Sequence, residues 1–163
     1  MKVNIIAAVS SNGVIGCNGS LPWNIQEDLK RFKELTLGHA VIMGRLTWES
    51  LPIKPLPDRY NVVVSSNTKY IAYQANMNCI DLKDALSICD VVSYENVFII
   101  GGTRLYQESL DLGIVDSMYI THIHREYEGD TYFPDIDFSQ WKEVEREDFE
   151  VFSFVKYYRV HHA

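Results

Sequence analysis

Apolar residues recur along this chain in short runs, and the spacing within each run predicts a strand or a helix. Residues 3–9 are almost entirely apolar, which is typical of a central strand that is covered on both faces. Further strands are predicted at residues 40–43, 60–65, 79–80, 97–100 and 117–123. Four helices are predicted. The first begins at residue 25 and is ended by Gly38, and the second begins near residue 46. The third follows a cap at Asp81, and the fourth covers residues 104–110.

The order of these elements predicts the fold class. Strand and helix alternate through most of the chain, so we expect an α/β fold with a mainly parallel sheet and helices on both faces. Residues 141–146 and 151–160, helped by their Tyr, Phe and Val content, are predicted to form paired antiparallel strands. The chain length of 163 residues fits one domain, residues 1–163, with a substantial core.

Two connections stand out by composition. Residues 10–20 carry two Asn-Gly pairs and a further glycine, and they predict a glycine-rich loop. Prolines at positions 52, 55 and 57 predict a rigid connection ahead of the strand at residues 60–65. No low-complexity tract or internal repeat interrupts the pattern, so the chain is expected to form a compact globule.

Charge and cysteine content exclude several classes of protein. Lys plus Arg number 15 against 22 Asp plus Glu, a net charge of -7 without a basic run, which argues against a nucleic-acid partner. No apolar stretch is long enough to span a membrane, and the run at residues 3–9 is interrupted by Asn4, so it predicts a strand rather than a signal peptide. The three cysteines form no C-x-x-C pair, which favours reduced thiols in a cytosolic protein.

Metal-ligand spacing is absent from the sequence, and the paired histidines at 161–162 are interpreted as a solvated tail. An acidic protein that binds anionic ligands must supply positive charge locally. Individual arginines are therefore the positions to follow.

One acidic residue, Asp28, falls where the pattern calls for an apolar side chain. Asn24 and Glu27 are spaced as a capping box, which predicts a helix that starts at residue 25. On that helix an apolar stripe is formed by Ile25, Leu29, Phe32 and Thr36, and Asp28 lies inside it without a Lys or Arg on the same face. A buried carboxylate must be protonated or must meet a donor, so a ligand is the expected partner. The alternative is an acid at the helix margin that is favoured by the helix dipole.

Six segments then carry a resemblance in their joint order and spacing. They are PWN at 22–24, VIMGRLTWES at 41–50, PLP at 55–57, IIGG at 99–102, ITHI at 120–123 and EGDTYFP at 128–134. Together they resemble bacterial-type dihydrofolate reductase from Met1 to the last strands. The resemblance implies a twisted mixed sheet with an antiparallel C-terminal strand.

The resemblance implies reduction of 7,8-dihydrofolate to tetrahydrofolate by hydride transfer from NADPH. A carboxylate can grip the amidine-like edge of a pterin with two parallel hydrogen bonds, and Asp28 is implied in that role with the Thr121 hydroxyl bracing it. Residues implied at the reacting centre are Leu21, Trp23, Asp28 and Thr121. Residues implied to wall the pterin ring are Ile6, Ala7, Leu29, Phe32, Leu51, Leu56 and Ile100, all of which are otherwise ordinary core positions.

Arg59 follows the proline-rich connection and begins a strand. The resemblance implies that it holds the carboxylate of the glutamate tail, a task that suits the fork of a guanidinium. The alternative is a solvated charge at the end of a strand.

The cofactor is expected where strands end in glycine. Residues 44–47 and 101–104 each lie between a strand and a helix, so free N–H groups and hydroxyls can converge there on phosphates. The family has a cis Gly-Gly bond in the second of these turns, often with a third glycine, where this chain has Thr103. Leu46 likewise replaces a histidine beside Arg45. The cofactor-binding residues implied are Ala8, Ile15, Gly16, Asn18, Gly44, Arg45, Leu46, Thr47, Ser65, Ser66, Gly101, Gly102, Thr103, Arg104, Leu105 and Tyr106.

The loop at residues 12–21 is implied to close over both ligands, with Asp130 as a latch on its backbone; the alternative for Asp130 is an ordinary turn aspartate. The resemblance further implies a monomer and sensitivity to antifolates such as methotrexate or trimethoprim. Two other functions remain open. A pyrimidine reductase of riboflavin synthesis shares the fold but does not predict Asp28 after the PWN turn, and a non-catalytic folate-binding module would lack the nicotinamide pocket.

Overall fold

The computed structural model describes residues 1–16 and 22–160. Its strands are β1 Lys2–Ser10, β2 Val14–Gly16, β3 Ala40–Gly44, β4 Tyr60–Val64, β5 Met77–Cys79, β6 Asn96–Gly101, β7 Ser117–Ile123, β8 Thr131–Tyr132, β9 Trp141–Asp148 and β10 Phe152–Arg159. Its helices are α1 Gln26–Thr36, α2 Arg45–Ser50, α3 Leu82–Val91 and α4 Thr103–Asp111, with a 3-10 turn at Phe138–Gln140.

Eight of the described strands form one sheet in the order β5-β4-β3-β6-β1-β7-β10-β9. The pairs from β5 to β7 are parallel, whereas β10 runs antiparallel to both β7 and β9. The mainly parallel mixed sheet with an antiparallel C-terminal strand is therefore confirmed. The apolar segment predicted to be central is indeed β1, which lies between β6 and β7.

The two faces of the sheet build separate cores, because successive side chains of a strand point to opposite faces. Ile5 packs on the face covered by α3 and α4, and its neighbour Ile6 packs on the face covered by α1 and α2. Helices on both faces are confirmed. None of the helices in the described ranges is long and apolar enough to cross a membrane.

Two local predictions were wrong. The helix α1 starts at Gln26 with Ile25 as its N-cap and without a side-chain capping bond, so the capping box is not formed; Asn24 instead accepts a 3.4 Å bond from the side chain of Gln26. The glycine-rich loop contains a short strand, β2, which pairs with β8. Backbone pairing with a segment over 100 residues away is a tertiary event that local composition does not reveal.

Candidate active site

Asp28 and Thr121 meet at the centre of the site. Asp28 lies in the first turn of α1, and Thr121 lies on β7, where its neighbours in register are Ala8 on β1 and Phe154 on β10. The Thr121 hydroxyl donates a 2.6 Å hydrogen bond to Oδ1 of Asp28. Thr121 is 4 % exposed and has one hydroxyl proton to give, so this bond fixes the direction of the carboxylate.

The surroundings of Asp28 shift its acidity in opposing directions. Burial raises the pKa of the carboxyl above its ordinary value of 3.8, while the hydrogen bond from Thr121 and the positive charge of Arg31 lower it. The expectation that no Lys or Arg would share this face was wrong, because Arg31 follows one turn later. Its guanidinium lies 4.3 Å from the centre of the Phe154 ring and within electrostatic reach of Asp28.

Trp23 presents an unpaired donor. Its ring is buried in a small cluster with Val14 and Ile123, and it meets Tyr127 edge-on at 5.2 Å. The indole Nε1 is buried and has no hydrogen-bond partner among the described residues. A buried N–H without a partner is uncommon in native proteins, so this atom fits a site that a polar group of a ligand or a water completes.

Most of the predicted apolar wall is brought together. One cluster on the α1 face of the sheet contains Ile6, Phe32, Leu51, Leu56 and Ile100. Ala7 packs against the opposite core, as alternation along β1 requires. Leu29 was wrongly placed on a buried stripe: its side chain is 47 % exposed, because the helix presents that position to solvent.

Arg59 is oriented by two bonds. Its Nε donates to the carbonyl of Pro57 at 2.8 Å, and its Nη1 donates to the Thr36 hydroxyl at 3.2 Å, so the guanidinium lies against the end of α1. Burial lowers the pKa of Arg59, and Asp58 opposes that shift. No sequence pattern connects Arg59 with Thr36, since the two are 23 positions apart.

Asn61 is a residue that the sequence reasoning missed. It is the second residue of β4 and is fully buried, and its carboxamide bonds the backbone of Leu56 and of Arg59. The signal that could have revealed it is an amide inside the apolar run YNVVV, because a buried carboxamide needs partners close by.

The two glycine turns lie side by side. Met43 pairs with Gly101 in the sheet, and a Cβ on Gly44 would come within 3.9 Å of the Gly102 nitrogen. The peptide bond between Gly101 and Gly102 is cis, as the resemblance implied. Gly101 has a φ of +137°, and a Cβ there would also lie 3.1 Å from the Thr47 hydroxyl, so only glycine suits this position.

Helices α2 and α4 begin directly after these turns. Their N-caps, Gly44 and Gly102, make no side-chain capping bond, which leaves the first N–H groups of each helix to an anion. The hydroxyl of Thr103, where the family often has glycine, donates to the Tyr132 carbonyl at 2.7 Å and is thereby turned toward β8. This pair of turns is a cradle that fits a phosphate-bearing cofactor.

Arg45 is an exposed cation at the first glycine turn of the cradle. It lies 3.8 Å from the Glu49 carboxylate, and its guanidinium lies 5.5 Å from the centre of the Tyr70 ring. Gly44 on β3 pairs with Val64 on β4. Arg45 and Ser65, the residues that follow them, therefore lie at the same edge of the sheet. Leu46, Ser66 and Arg104 are exposed, with Leu46 at 69 %.

Two predicted cofactor residues are core residues. Leu105 is buried in the main core, so its side chain is not presented to a ligand. Tyr106 is buried too; its hydroxyl donates to the Ile6 carbonyl at 2.9 Å, and burial raises its pKa well above the usual range. Tyr106 therefore ties α4 to β1 beneath the glycine turn.

The loop after β1 is held by backbone contacts. The Asp130 N–H donates to the Gly16 carbonyl at 3.1 Å, and a Cβ on Gly129 would collide with Val14 and with that same carbonyl. Ala8 on β1 and Ile15 on β2 are both half-buried. The predicted residues Asn18 and Leu21, like Cys17 and the paired histidines at 161–162, lie outside the described residues.

Comparisons with known proteins agree with this geometry. The family model described as dihydrofolate reductase matches residues 2–159. The dihydrofolate reductase of Neisseria meningitidis serogroup A is 41 % identical over 165 residues, covering 98 % of this chain and 99 % of that protein. That of Bacillus subtilis is 42 % identical over 145 residues, covering 89 % of this chain and 83 % of the relative.

A solved structure extends the likeness to three dimensions. Dihydrofolate reductase from Enterococcus faecalis, complexed with NADP(H) and RAB-propyl, has a TM-score of 0.86 and 34 % identity, and the match covers 97 % of this chain and 96 % of that one. The family match extends over nearly the whole chain and includes both the carboxylate site and the glycine cradle. This chain therefore belongs to the dihydrofolate reductase family.

Proposed function

We propose that this protein reduces 7,8-dihydrofolate to 5,6,7,8-tetrahydrofolate with NADPH as the hydride donor. The observation that carries the proposal is the half-buried Asp28 carboxylate, held by Thr121 at 2.6 Å beside an apolar cluster. A carboxylate so placed can accept two parallel hydrogen bonds from the ring nitrogen and amino group of a pterin. The apolar cluster accommodates the rest of the ring.

Asp28 orients the substrate rather than protonating it directly. The Thr121 hydroxyl donates its hydrogen bond to Oδ1 of Asp28, so the carboxylate acts as an acceptor in this contact. An ionised Asp28 paired with the pterin raises the basicity of that ring, and a water molecule then delivers the proton to the nitrogen next to the reduced carbon. Trp23 has an indole N–H suited to hold such a water or a pterin oxygen.

The glycine cradle is the proposed cofactor site. N–H groups at the starts of α2 and α4 would hold phosphates, and Arg45, with Ser65 and Ser66, would hold the 2′-phosphate that distinguishes NADPH from NADH. When bound, NADPH supplies the hydride. The backbone of Ala8 and Ile15 would hold its carboxamide, and the apolar walls keep water away from the reacting atoms.

We propose that Asp130 acts as a latch on the loop that follows β1, of which residues 17–21 lie outside the described residues. We further propose that the protein works as a cytosolic monomer and that methotrexate or trimethoprim competes for the Asp28 site, since both carry an amidine-like edge that a carboxylate can bind.

The test is a spectrophotometric assay of NADPH oxidation with dihydrofolate as substrate. Turnover that is lost in Asp28→Asn at neutral pH would support the proposal. Turnover only with a ribosylaminopyrimidine would indicate the pyrimidine reductase, and tight folate binding without NADPH oxidation would indicate a binding module. Either result would overturn the proposal.

A further inference from the structure

The buried carboxamide of Asn61 connects the sheet to the segment that carries Leu56 and Arg59. Its Oδ1 accepts from the Leu56 N–H at 2.9 Å, and its Nδ2 donates to the Leu56 carbonyl at 3.0 Å and to the Arg59 carbonyl at 2.9 Å. The acceptor faces an N–H and the donors face carbonyls, so the amide orientation is determined by its partners. All of this takes place at a residue that is 0 % exposed.

The segment at residues 56–59 contains no helix or strand, yet each of its four backbone carbonyls accepts a hydrogen bond. Asn61 holds the carbonyls of Leu56 and Arg59, the Arg59 side chain holds that of Pro57, and the Gly38 N–H holds that of Asp58 at 2.8 Å. Asp58 has a φ of +60°, a conformation that needs support from its surroundings in a residue with a side chain. These bonds therefore add to the turn preference of Pro57 and Asp58 in holding this conformation.

Asn61 is itself anchored on its other side. Its backbone N–H donates to Oδ1 of Asn76 at 2.7 Å, and its carbonyl accepts from the Asn76 N–H at 2.9 Å. These two bonds fix the backbone of Asn61 against Asn76, the residue that precedes β5. The Asn61 carboxamide in turn holds the backbone of Leu56 and Arg59, the two residues with proposed roles in binding.

We propose that Asn61 is a positioning residue for the substrate tail, because it sets the spacing between the apolar contact at Leu56 and the guanidinium of Arg59. This inference rests on the proposed function, in which Leu56 lines the ring site and Arg59 binds the tail carboxylate. A guanidinium binds a carboxylate through two parallel bonds, which tolerate little displacement. Loss of the Asn61 bonds would let the Arg59 backbone shift while the pterin site remains supported by Asp28 and Thr121.

The experiment compares two substrates that share the reacting ring. Dihydrofolate carries the tail, and 6-methyl-7,8-dihydropterin lacks it. In Asn61→Ala we expect KM for dihydrofolate to rise about tenfold with kcat within about twofold, and kcat/KM for the dihydropterin to fall by at most about twofold. Asn61→Ser, which retains a hydroxyl, serves as a second variant if Asn61→Ala fails to fold, and it should give a smaller change of the same kind.

Asn78 offers a control that matches Asn61 in its bonds, although its side chain is exposed. It holds a neighbouring loop by the same kind of bonds, with Oδ1 accepting from the Ala72 N–H at 2.8 Å and Nδ2 donating to the Ala72 carbonyl at 3.2 Å. Asn78→Ala should reduce thermal stability without changing the ratio of kcat/KM between the two substrates. If both asparagines lower stability and neither changes the ratio, Asn61 is purely structural and the inference is overturned.

A double-mutant cycle tests whether Asn61 acts through Arg59. In an Arg59→Ala background, Asn61→Ala should add less than about twofold to KM for dihydrofolate, because the group that it positions is gone. Full additivity would overturn the inference. A wild type inactive on both substrates would instead refute the proposed function, so the two failures are distinguishable.

Discussion

Asp28 and Arg45 are charged side chains assigned to different ligands, and both lie in the first turn of a helix, but their surroundings are opposite. Asp28 is half-buried, receives a bond from Thr121 and has a raised pKa. Arg45 is exposed, with its carboxylate neighbour at 3.8 Å. A charge in an apolar wall depends strongly on the groups around it, whereas an exposed pair is weak because solvent screens it. The difference implies that the protein environment sets the acidity of Asp28, whereas the charge of Arg45 matters mainly for the ligand that it is proposed to bind.

The largest expected effect is at the buried charge. Asp28→Asn preserves volume and should fold, but it cannot pair with the pterin as an anion, so turnover at pH 7 should fall by about 100-fold or more. Activity should recover toward acid pH, where the substrate arrives already protonated. The measurement is a pH profile of kcat, and wild-type rates at pH 7 would remove Asp28 from the mechanism.

The same substitution should stabilise the unliganded protein. The folded-state pKa of Asp28 is raised above its ordinary value of 3.8, so its protonated form favours folding; that contribution is complete below pH 3.8 and is lost as pH rises through the folded pKa. At neutral pH the wild type is folded with an ionised, poorly solvated carboxylate. Asp28→Asn should therefore have the higher Tm at pH 7, with the difference shrinking toward acid. An equal or lower Tm at pH 7 would contradict the burial cost.

The exposed charge should show its effect on one cofactor. Arg45→Ala should weaken NADPH binding by roughly 1.5–3 kcal/mol, about 10- to 150-fold, because a guanidinium makes paired charge-assisted bonds to a phosphate. NADH should change little. Dissociation constants of both cofactors at one fixed salt concentration decide the matter: parallel weakening would mean that Arg45 only adds positive charge near all the phosphates.

A smaller effect on hydride transfer and NADPH binding is expected at Asp130, whose N–H bonds the Gly16 carbonyl. Asp130→Ala should slow hydride transfer and loosen NADPH by roughly threefold to tenfold, with folding stability nearly intact, because the residue lies in a surface turn. Single-turnover kinetics with deuterated NADPH would measure the transfer step. If transfer and cofactor release are both unchanged, Asp130 is an ordinary turn residue.

The smallest effect concerns the cation near Asp28. Arg31 lies among Glu145 and Glu147 of β9, Tyr119 of β7 and the Phe154 ring, and its charge lowers the pKa of Asp28. Arg31→Met should therefore raise the pKa of Asp28, whereas Lys33→Met, which removes an exposed charge from the same helix, should not. Carbon NMR titration of the Asp28 carboxyl, assigned by its loss in Asp28→Asn, would measure both. Equal titrations in the two variants would remove Arg31 from the tuning of the site.

The sequence by itself determined the order of strands and helices, because alternating apolar and amphipathic runs leave few ways to bury their faces. It also pointed to Asp28, since an acid on an apolar stripe is costly unless something binds it. The start of α1 was misplaced because a spaced Asn and Glu permit a capping box without requiring one. The exposed Leu29 shows that one stripe of a helix is not buried uniformly.

Only the tertiary structure decided which distant residues act together. The bond between Thr121 and Asp28 spans 93 positions and was expected from the family resemblance alone, whereas the bond between Tyr106 and the Ile6 carbonyl, which no sequence pattern indicated, spans 100. Asn61 likewise acquires its importance only when the chain folds back over its carboxamide. Hydrogen bonds depend on distances of a few tenths of an ångström, and such distances between remote segments are set by the packing of the whole sheet.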